Sequence, residues 1–147
     1  MSEACPALAA TPAVAGARPS WLGWRGSGWV LVVDDDDSIR TVIARSVARL
    51  GFTVEQASGG REALSRFGSD PGLFSLVIVD FKLPDMDGCE VASGLRQIRP
   101  NARVILMSGL GREDAMEDIA SKELTGFLQK PFALGALVTE LRAVLQT

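Results

Sequence analysis

The sequence predicts an α/β protein with a doubly wound, five-stranded parallel sheet and helices on both faces. Three observations indicate this fold class. Short unbroken apolar runs, typical of strands buried on both faces, recur along the chain. Segments with apolar residues at helical spacing lie between these runs. The two patterns alternate strictly from residue 29 onward, which predicts parallel strands connected by helices that cover the sheet.

The residues before the first strand form a separate region. Residues 1–28 are rich in alanine, proline and glycine, without a sustained helical or strand period. We therefore expect a flexible tail or linker there, and a single domain over residues 29–147. We expect Trp29 to open the first strand, and Trp21 and Trp24 to lie loosely on the domain surface. A docking or self-association element is the alternative, because tryptophan is rare in freely solvated segments.

The first half of the domain contains two strands and two helices. Residues 29–33 are apolar throughout and predict a buried strand. A helix over 38–50 follows, with Gly51 where a C-capping glycine belongs. Its apolar residues recur at helical spacing: Ile39, Val42, Ile43, Val47 and Leu50. Residues 53–57 predict a second, weaker strand, and residues 60–67 a short helix with one apolar side.

The second half continues this alternation. Apolar runs at 76–79 and 104–107 predict two more buried strands, the first of them central in the sheet. A helix over 89–98 connects them and ends before Pro100. The remaining elements, in chain order, are an exposed helix over 113–124, a fifth strand over 126–129 and an amphipathic helix over 134–145.

The composition excludes several classes of function. The chain has 147 residues and a net charge of −3, and it lacks the clustered basic excess of a nucleic-acid-binding surface. It contains no histidine, which excludes Ser-His-Asp triads, histidine metal sites and a phosphohistidine on this chain. Its two cysteines, Cys5 and Cys89, predict neither a disulfide framework nor a zinc site, so we expect a cytoplasmic protein. No apolar stretch reaches the roughly 18 residues that span a bilayer, and we expect no membrane association.

Polar side chains follow four of the five predicted strands. The first strand runs into the aspartates 34–37, the third ends at Asp80, the fourth ends at Ser108, and the fifth leads into Lys130. Ligands bind at the carboxyl ends of the strands in sheets of this kind. Gathered carboxylates repel one another, and a hard divalent cation such as Mg²⁺ relieves the repulsion. A carboxylate nucleophile, a metal, a lysine and a hydroxyl together predict phosphoryl transfer through an aspartyl phosphate.

Four motifs, in this order, resemble the receiver domain of two-component response regulators. They are VVDD at 32–35, VDFKLPDMDG at 79–88, LMSG at 106–109 and FLQKPF at 127–132. The resemblance runs from about residue 29 to the C-terminus. Within this family, the sequence is similar to chemotaxis regulators and most of all to the C-terminal receivers of hybrid sensor histidine kinases. It implies a flavodoxin-like strand order of 2-1-3-4-5, and a signalling phosphoacceptor rather than an enzyme, either on its own or within a hybrid kinase.

The resemblance assigns the acidic residues to phosphoryl and metal chemistry. Asp80 would be the phosphoacceptor, taking its phosphoryl group from a sensor histidine kinase or a histidine phosphotransfer protein. Mg²⁺ would be bound by Asp35 directly, by Asp34 through water, by Asp80 and by the backbone carbonyl of Lys82. Because four aspartates are consecutive, the match to the two metal-binding aspartates of the family could be shifted by one residue. The apolar run that ends at Val33 favours Asp34 and Asp35.

The resemblance also implies roles for the residues around the acceptor. Lys130 would pair with the phosphoryl oxygens, and its bond to Pro131 is expected to be cis. Ser108 would donate a hydrogen bond to the phosphate, and Ser108 and Phe127 would form the switch. The fourth helix, the fifth strand and the fifth helix would together form a surface that binds a downstream protein. Phosphorylation would then change the affinity of this surface for that protein.

Several polar residues have plainer interpretations. We expect Asp36 and Asp37 to cap or begin the first helix, and Asp85 and Asp87 to be turn residues. Cys89 is expected to pack as a small apolar residue. Three arginines of the first helix are expected to form a solvated face: Arg40, Arg45 and Arg49.

Two other functions stay open at this point. Asp34-x-Asp36 after an apolar strand also resembles the nucleophile motif of haloacid-dehalogenase-type phosphatases. That family completes its metal site with a further acid, for which Glu140 is the one candidate beyond Lys130. Phosphorylation of Asp34 rather than Asp80 would indicate such a phosphatase. The other alternative is a receiver-like interaction module without phosphorylation, which the intact set of acidic, hydroxyl and lysine residues disfavours.

Overall fold

The structure, a computed structural model, describes residues 23–109 and 125–146. The strands are β1 (Trp29–Val33), β2 (Thr53–Ala57), β3 (Phe74–Asp80), β4 (Val104–Ser108) and β5 (Gly126–Gln129). The described helices are α1 (Asp37–Arg49), α2 (Gly60–Ser69), α3 (Gly88–Ile98) and α4 (Leu134–Leu145). All strand pairs are parallel, and the strand order is β2-β1-β3-β4-β5. The predicted fold class and strand order are confirmed.

The element boundaries follow the sequence pattern closely. The prediction differs from the structure at the start of β3, which begins at Phe74 and not at residue 76. Ser75 interrupts the apolar run there, and the register with β1 shifts at the same place. The helix predicted over 113–124 lies outside the described residues, as do Trp21 and Cys5. None of the described helices is both long enough and apolar enough to cross a membrane.

The sheet is buried between two apolar clusters, one on each face. The β1 side chains alternate between them, as the pleat of a strand requires. Leu31 and Val33 join the cluster under α2 and α3, whereas Val30 and Val32 join the cluster under α1 and α4. All four side chains are fully buried. The central strands are therefore fixed from both sides, which fixes the positions of the residues at their carboxyl ends.

The apolar face of α1 is narrower than the sequence pattern predicted. Ile43, Val47 and Leu50 are buried against the sheet as expected, whereas Ile39 is 39% exposed and Val42 is 63% exposed. Ile39 lies in the first turn of the helix, where the helix begins beyond the end of β1. Val42 is one position, or about 100° of rotation, away from the buried stripe. Ile39 and Val42 therefore share the helical spacing of the apolar residues without joining the core.

The last part of the expected tail contacts the domain. The Trp24 ring packs on Phe52 with their centroids 6.1 Å apart. The Gly26 N–H donates to the carbonyl of Leu50 at 2.7 Å, and a side chain at Gly26 would collide with the Phe52 ring. Trp29 opens β1, as predicted. Residues 24–28 therefore lie against the end of the sheet opposite the acidic strand ends.

Candidate functional site

Four strand ends meet at one edge of the sheet. Asp34 follows β1, Asp80 ends β3, Ser108 ends β4, and Lys130 follows β5. Among the described residues, the buried polar or charged side chains are Asp34, Asp80 and Ser108. Buried polar groups are costly unless they are paired or hydrogen-bonded, so their concentration at one edge indicates a site.

Three carboxylates and one ammonium group form the centre of this site. Carboxylate oxygens of Asp34, Asp35 and Asp80 lie within 4.8 Å of one another. The Nζ atom of Lys130 is 2.8 Å from Oδ2 of Asp34 and 2.9 Å from Oδ1 of Asp80. Asp35 is exposed, whereas the other two aspartates are buried. The structure thus brings together the acidic and basic residues that the sequence analysis singled out, and it leaves an excess of negative charge among them.

Burial and mutual repulsion shift the ionisation of these groups. Burial raises the pKa of Asp80, and the charges of Asp34 and Asp35 raise it further, although Lys130 counteracts the rise. Burial lowers the pKa of Lys130, but hydrogen bonds and charge attraction from Asp34 and Asp80 outweigh this effect, so that its pKa is raised overall. Lys130 is therefore protonated at neutral pH and favours the ionised form of Asp80.

Backbone contacts fix the position of Asp34. Its N–H donates to the carbonyl of Ala57 in β2 at 3.2 Å, and its Oδ1 accepts a hydrogen bond from the Asp36 N–H at 2.9 Å. Asp36 in turn caps α1 by accepting from the Ile39 N–H at 3.0 Å, as predicted. Both carboxylate oxygens of Asp34 are thus already engaged, one by a backbone N–H and the other by Lys130.

Arg40 belongs to this site, and the prediction of a solvated side chain is wrong for it. Its side chain is 15% exposed. The guanidinium group donates to the backbone carbonyl of Asp34 at 2.8 Å and to Gln56 in β2 at 3.1 Å, and it pairs with Asp37 at 2.6 Å. Arg40 therefore ties the acidic loop after β1 to the neighbouring strand. Helical periodicity did not reveal this role, because the Asp34 carbonyl and Gln56 lie outside the helix.

The loop between β3 and α3 follows Asp80 directly and contains Lys82. The Gly88 N–H donates to the carbonyl of Phe81 at 2.8 Å, and an antiparallel bridge joins Lys82 to Asp87. Gly88 has no room for a side chain, because an added Cβ would lie 2.7 Å from the carbonyl oxygen of Asp80. The two ends of the loop are thus held close together directly after Asp80.

Asp85 and Asp87 are helix caps, which corrects the expectation that they are plain turn residues. Asp87 is the N-cap of α3 and accepts hydrogen bonds from the N–H groups of Cys89 and Glu90 at 2.9 Å each. The Glu90 carboxylate accepts from the Asp87 N–H at 2.9 Å and completes a capping box. Asp85 caps α2 from a distant part of the chain. Cys89 is partly buried against the apolar core, as expected.

A cleft of about 380 Å³ opens beside these groups. It is lined by Asp80, Phe81, Lys82, Ser108, Gly109 and Lys130. Mg²⁺ in proteins is bound by oxygen ligands, usually one or two carboxylates with several waters. The three gathered carboxylates therefore fit this ion, and Lys82, whose carbonyl was predicted as a further ligand, lies at the same cleft.

Comparison with known proteins identifies the family. The sequence profile of the response regulator receiver domain matches residues 30–142. The chain belongs to this family. Receiver domains are the signalling modules of two-component systems.

Two curated relatives and one solved structure illustrate the match. Sensor kinase CckA from Brucella abortus (strain 2308) is 33% identical over 121 residues, covering 82% of this chain and 13% of that protein. Response regulator MprA from Mycolicibacterium vanbaalenii is 35% identical over 119 residues, covering 80% of this chain and 50% of that protein. The chain thus spans half or less of the length of these relatives. The CheX–CheY–BeF3–Mg²⁺ complex from Borrelia burgdorferi has a TM-score of 0.75 at 28% identity, covering 80% of this chain and 88% of that chain.

The receiver domain places its fifth strand directly beside the cleft. Lys130 is joined to Pro131 by a cis peptide bond, as predicted, and its N–H donates to the carbonyl of Ser108 at 2.7 Å. Phe127 is 8% exposed and packs in the cluster under α2 and α3. Its backbone N–H donates to Oε2 of Glu140 in α4 at 3.1 Å, a contact that the sequence did not indicate. The strand that leads into Lys130 is thereby linked to α4.

Proposed function

We propose that this receiver domain accepts a phosphoryl group on Asp80 with the help of Mg²⁺. The observation that carries the proposal is the convergence of three carboxylates and Lys130 at one edge of the sheet. The similar CheY of Borrelia burgdorferi occurs in a complex with Mg²⁺ and BeF3, which supports the same use of the site in this chain.

The carboxylates have different contacts, which suggests different roles toward the cation. Asp35 is exposed, which suits a direct ligand. Both oxygens of Asp34 already accept hydrogen bonds, which suits a contact made through water. Asp80 and the backbone carbonyl of Lys82 would supply the remaining protein ligands. When bound, the cation would neutralise charge on the carboxylates and on the phosphoryl oxygens.

In the proposed reaction, an Asp80 carboxylate oxygen attacks the phosphorus of a phosphohistidine on a sensor histidine kinase or a histidine phosphotransfer protein. An O–P bond forms and the N–P bond breaks, and its electron pair stays on the imidazole nitrogen. Lys130 favours the ionised, nucleophilic form of Asp80 and would pair with the phosphoryl oxygens, as would the hydroxyl of Ser108. The residues of this chain thus act by positioning and by charge compensation.

The proposed response to phosphorylation is a change at the surface formed by β5 and α4. The helix predicted over 113–124, which the sequence analysis assigns to the same surface, lies outside the described residues. Ser108 and Lys130 connect the cleft to β5, and Phe127 lies on that strand. A groove of about 620 Å³ lies beside β5 and α4 and suits a downstream protein partner. Phosphorylation would shift a two-state equilibrium of this surface. Unchanged amide chemical shifts at Phe127 and Ser108 after addition of BeF3 and Mg²⁺ would contradict this part of the proposal.

The setting that fits the relatives is a cytoplasmic phosphorelay. One relative is a sensor kinase and the other is a response regulator. The domain would therefore serve either in a response regulator or as the receiver of a hybrid kinase. The phosphatase alternative is disfavoured, because Glu140 binds the backbone of Phe127 instead of lying beside the three aspartates.

Intact-mass spectrometry after incubation with acetyl phosphate tests the proposed function. The wild type should gain one phosphoryl adduct in the presence of Mg²⁺ and none in the presence of EDTA. Asp80→Asn should gain none. Asp70→Asn is the matched control, since it makes the same chemical change at an exposed aspartate outside the cleft, and it should behave as wild type. An adduct that persists in Asp80→Asn, or no adduct in a wild type that binds Mg²⁺, would contradict the proposal.

A further inference from the structure

Helix α2 begins without a capping side chain of its own. The first N–H groups of a helix have no partner within the helix and need an acceptor. The N-cap residue here is Gly59, which has no side chain to supply one. Asp85, which lies 25 residues away from Gly60 in the sequence, supplies the acceptor instead. Its Oδ1 accepts from the Gly60 N–H at 2.9 Å, and its Oδ2 accepts from the Arg61 N–H at 2.8 Å.

These two hydrogen bonds favour the ionised form of Asp85. The backbone N–H groups of Arg61 and Gly60 hold the pKa of Asp85 below its ordinary value. The positive end of the α2 dipole favours a carboxylate at the same place. Asp85 is nevertheless an exposed residue. The contact is therefore a bidentate hydrogen-bonding interaction at the protein surface and not a consequence of burial.

Asp85 lies at the middle of the loop that follows the acceptor. The ends of this loop are joined by the bridge between Lys82 and Asp87. Met86, next to Asp85, packs so closely on Gly60 that a side chain at Gly60 would collide with it. The ends of the loop are thus held to each other, and its centre is held to α2.

We propose that Asp85 is a positioning residue for the phosphoryl site. By attaching the centre of the β3–α3 loop to the N-terminus of α2, it fixes the backbone carbonyl of Lys82 beside the carboxylates. The proposal rests on the proposed function, in which that carbonyl is a ligand of Mg²⁺. Without the two Asp85 hydrogen bonds, the centre of the loop would be held to α2 by the apolar packing of Met86 alone. Ordering the Lys82 carbonyl for the cation would then cost part of the Mg²⁺ affinity.

The alternative is that Asp85 only caps α2 and does not position the loop. A substitution at Gly59 can separate these two roles. Gly59 has extended backbone angles, which any residue adopts. The nearest atoms to an added Cβ at Gly59 belong to the Asp85 carboxylate, at 3.2 Å and beyond. In Asp85→Ala that space is open, so Gly59→Ser in the same chain would cap α2 locally. The double variant therefore restores the cap without restoring the attachment of the loop.

The experiment combines calorimetric titration with Mg²⁺ and urea unfolding in EDTA. It compares wild type, Asp85→Ala and Gly59→Ser/Asp85→Ala. We expect Asp85→Ala to bind Mg²⁺ roughly tenfold more weakly, as is usual when a supporting contact of a metal site is lost, and to unfold at lower urea. The double variant should regain the urea midpoint but keep the weak Mg²⁺ binding. Asp70→Ala, an exposed aspartate at the other end of α2, should change neither quantity.

The outcomes separate the two proposals. Wild-type Mg²⁺ affinity in Asp85→Ala, or recovery of that affinity together with stability in the double variant, would overturn the positioning role and leave the proposed function intact. A wild type without Mg²⁺ binding would overturn the proposed function, and the role of Asp85 with it. If Asp85→Ala does not fold, Asp85→Asn takes its place, because the amide oxygen can accept one of the two hydrogen bonds. An intermediate loss of Mg²⁺ affinity is then expected, and no loss would overturn the proposal.

Discussion

Lys130→Met removes the ammonium group from between two buried carboxylates while keeping an unbranched side chain. The Nζ atom lies 2.8 Å from Asp34 and 2.9 Å from Asp80, and the Asp34 side chain is 1% exposed. Removing one partner of a buried ion pair costs about 3–5 kcal/mol. The Lys130 side chain is itself 21% exposed, so part of the charge is screened by water. We therefore expect a loss of about 3 kcal/mol in the free energy of unfolding without Mg²⁺.

Mg²⁺ should reduce the difference in the free energy of unfolding between the wild type and Lys130→Met. A ligand present at 100 times its Kd stabilises the folded state by about 2.7 kcal/mol. Lys130→Met leaves more negative charge uncompensated, so the variant gains more from the cation than the wild type does. The assay is urea unfolding at neutral pH, in EDTA and in saturating MgCl2, for both proteins.

The same variant gives a test by pH. Burial, together with the charges of Asp34 and Asp35, raises the pKa of Asp80 above its ordinary 3.8. The contribution of Asp80 to stability is therefore full below pH 3.8 and is lost as the pH rises through the raised folded-state pKa. Without Lys130 the pKa of Asp80 rises further. The stability deficit of Lys130→Met is thus expected to be largest at neutral pH and to shrink on acidification.

Lys82→Met is the matched control, because it removes an exposed ammonium group at the same cleft and keeps the backbone carbonyl. It should lose less than about 1 kcal/mol, as is usual for exposed charges. A similar loss in both variants would refute the reasoning, as would a Lys130→Met deficit that neither Mg²⁺ nor acid reduces.

Three further predictions concern residues around the site and at the opposite end of the sheet. Gly88→Ala should lose about 1–3 kcal/mol by urea unfolding, because its Cβ would press on the carbonyl of Asp80; stability equal to wild type would contradict this. Trp24→Ala should lose about 1–2 kcal/mol, less than a fully buried tryptophan, whereas a loose tail predicts no change. Arg40→Met should weaken Mg²⁺ binding in calorimetry, since Arg40 holds the backbone of Asp34. Mg²⁺ affinity equal to that of wild type would exclude a positioning role for Arg40.

Local patterns were sufficient to predict the fold. The β1 and β4 runs are apolar without interruption because both faces of these strands are covered, and a continuous run is a strong signal. The pattern was weaker where burial is partial. Ile39 and Val42 satisfy helical spacing, but Ile39 lies beyond the part of α1 that faces the sheet and Val42 lies beside it. Spacing alone does not give the position of a helix on the sheet.

The site was predictable where its residues stand at strand ends. Asp80, Ser108 and Lys130 were found because parallel strands deliver their last residues to one edge. Arg40 was missed because it binds the backbone carbonyl of Asp34, and a backbone acceptor leaves no mark in the residue pattern. Asp85 was missed because its backbone partners lie far away in the sequence. One local signal was available for Asp85. A helix whose N-cap residue is a glycine has no capping side chain, so its first N–H groups need an acceptor from elsewhere.

The position of the phosphoryl group tests the central claim most directly. After incubation with acetyl phosphate and Mg²⁺, borohydride reduces an aspartyl phosphate to homoserine, and tandem mass spectrometry locates the changed residue. The account predicts homoserine at position 80 alone, and none when EDTA replaces Mg²⁺. Homoserine at position 34, or at several exposed aspartates irrespective of Mg²⁺, would contradict the assignment of Asp80 as the phosphoacceptor.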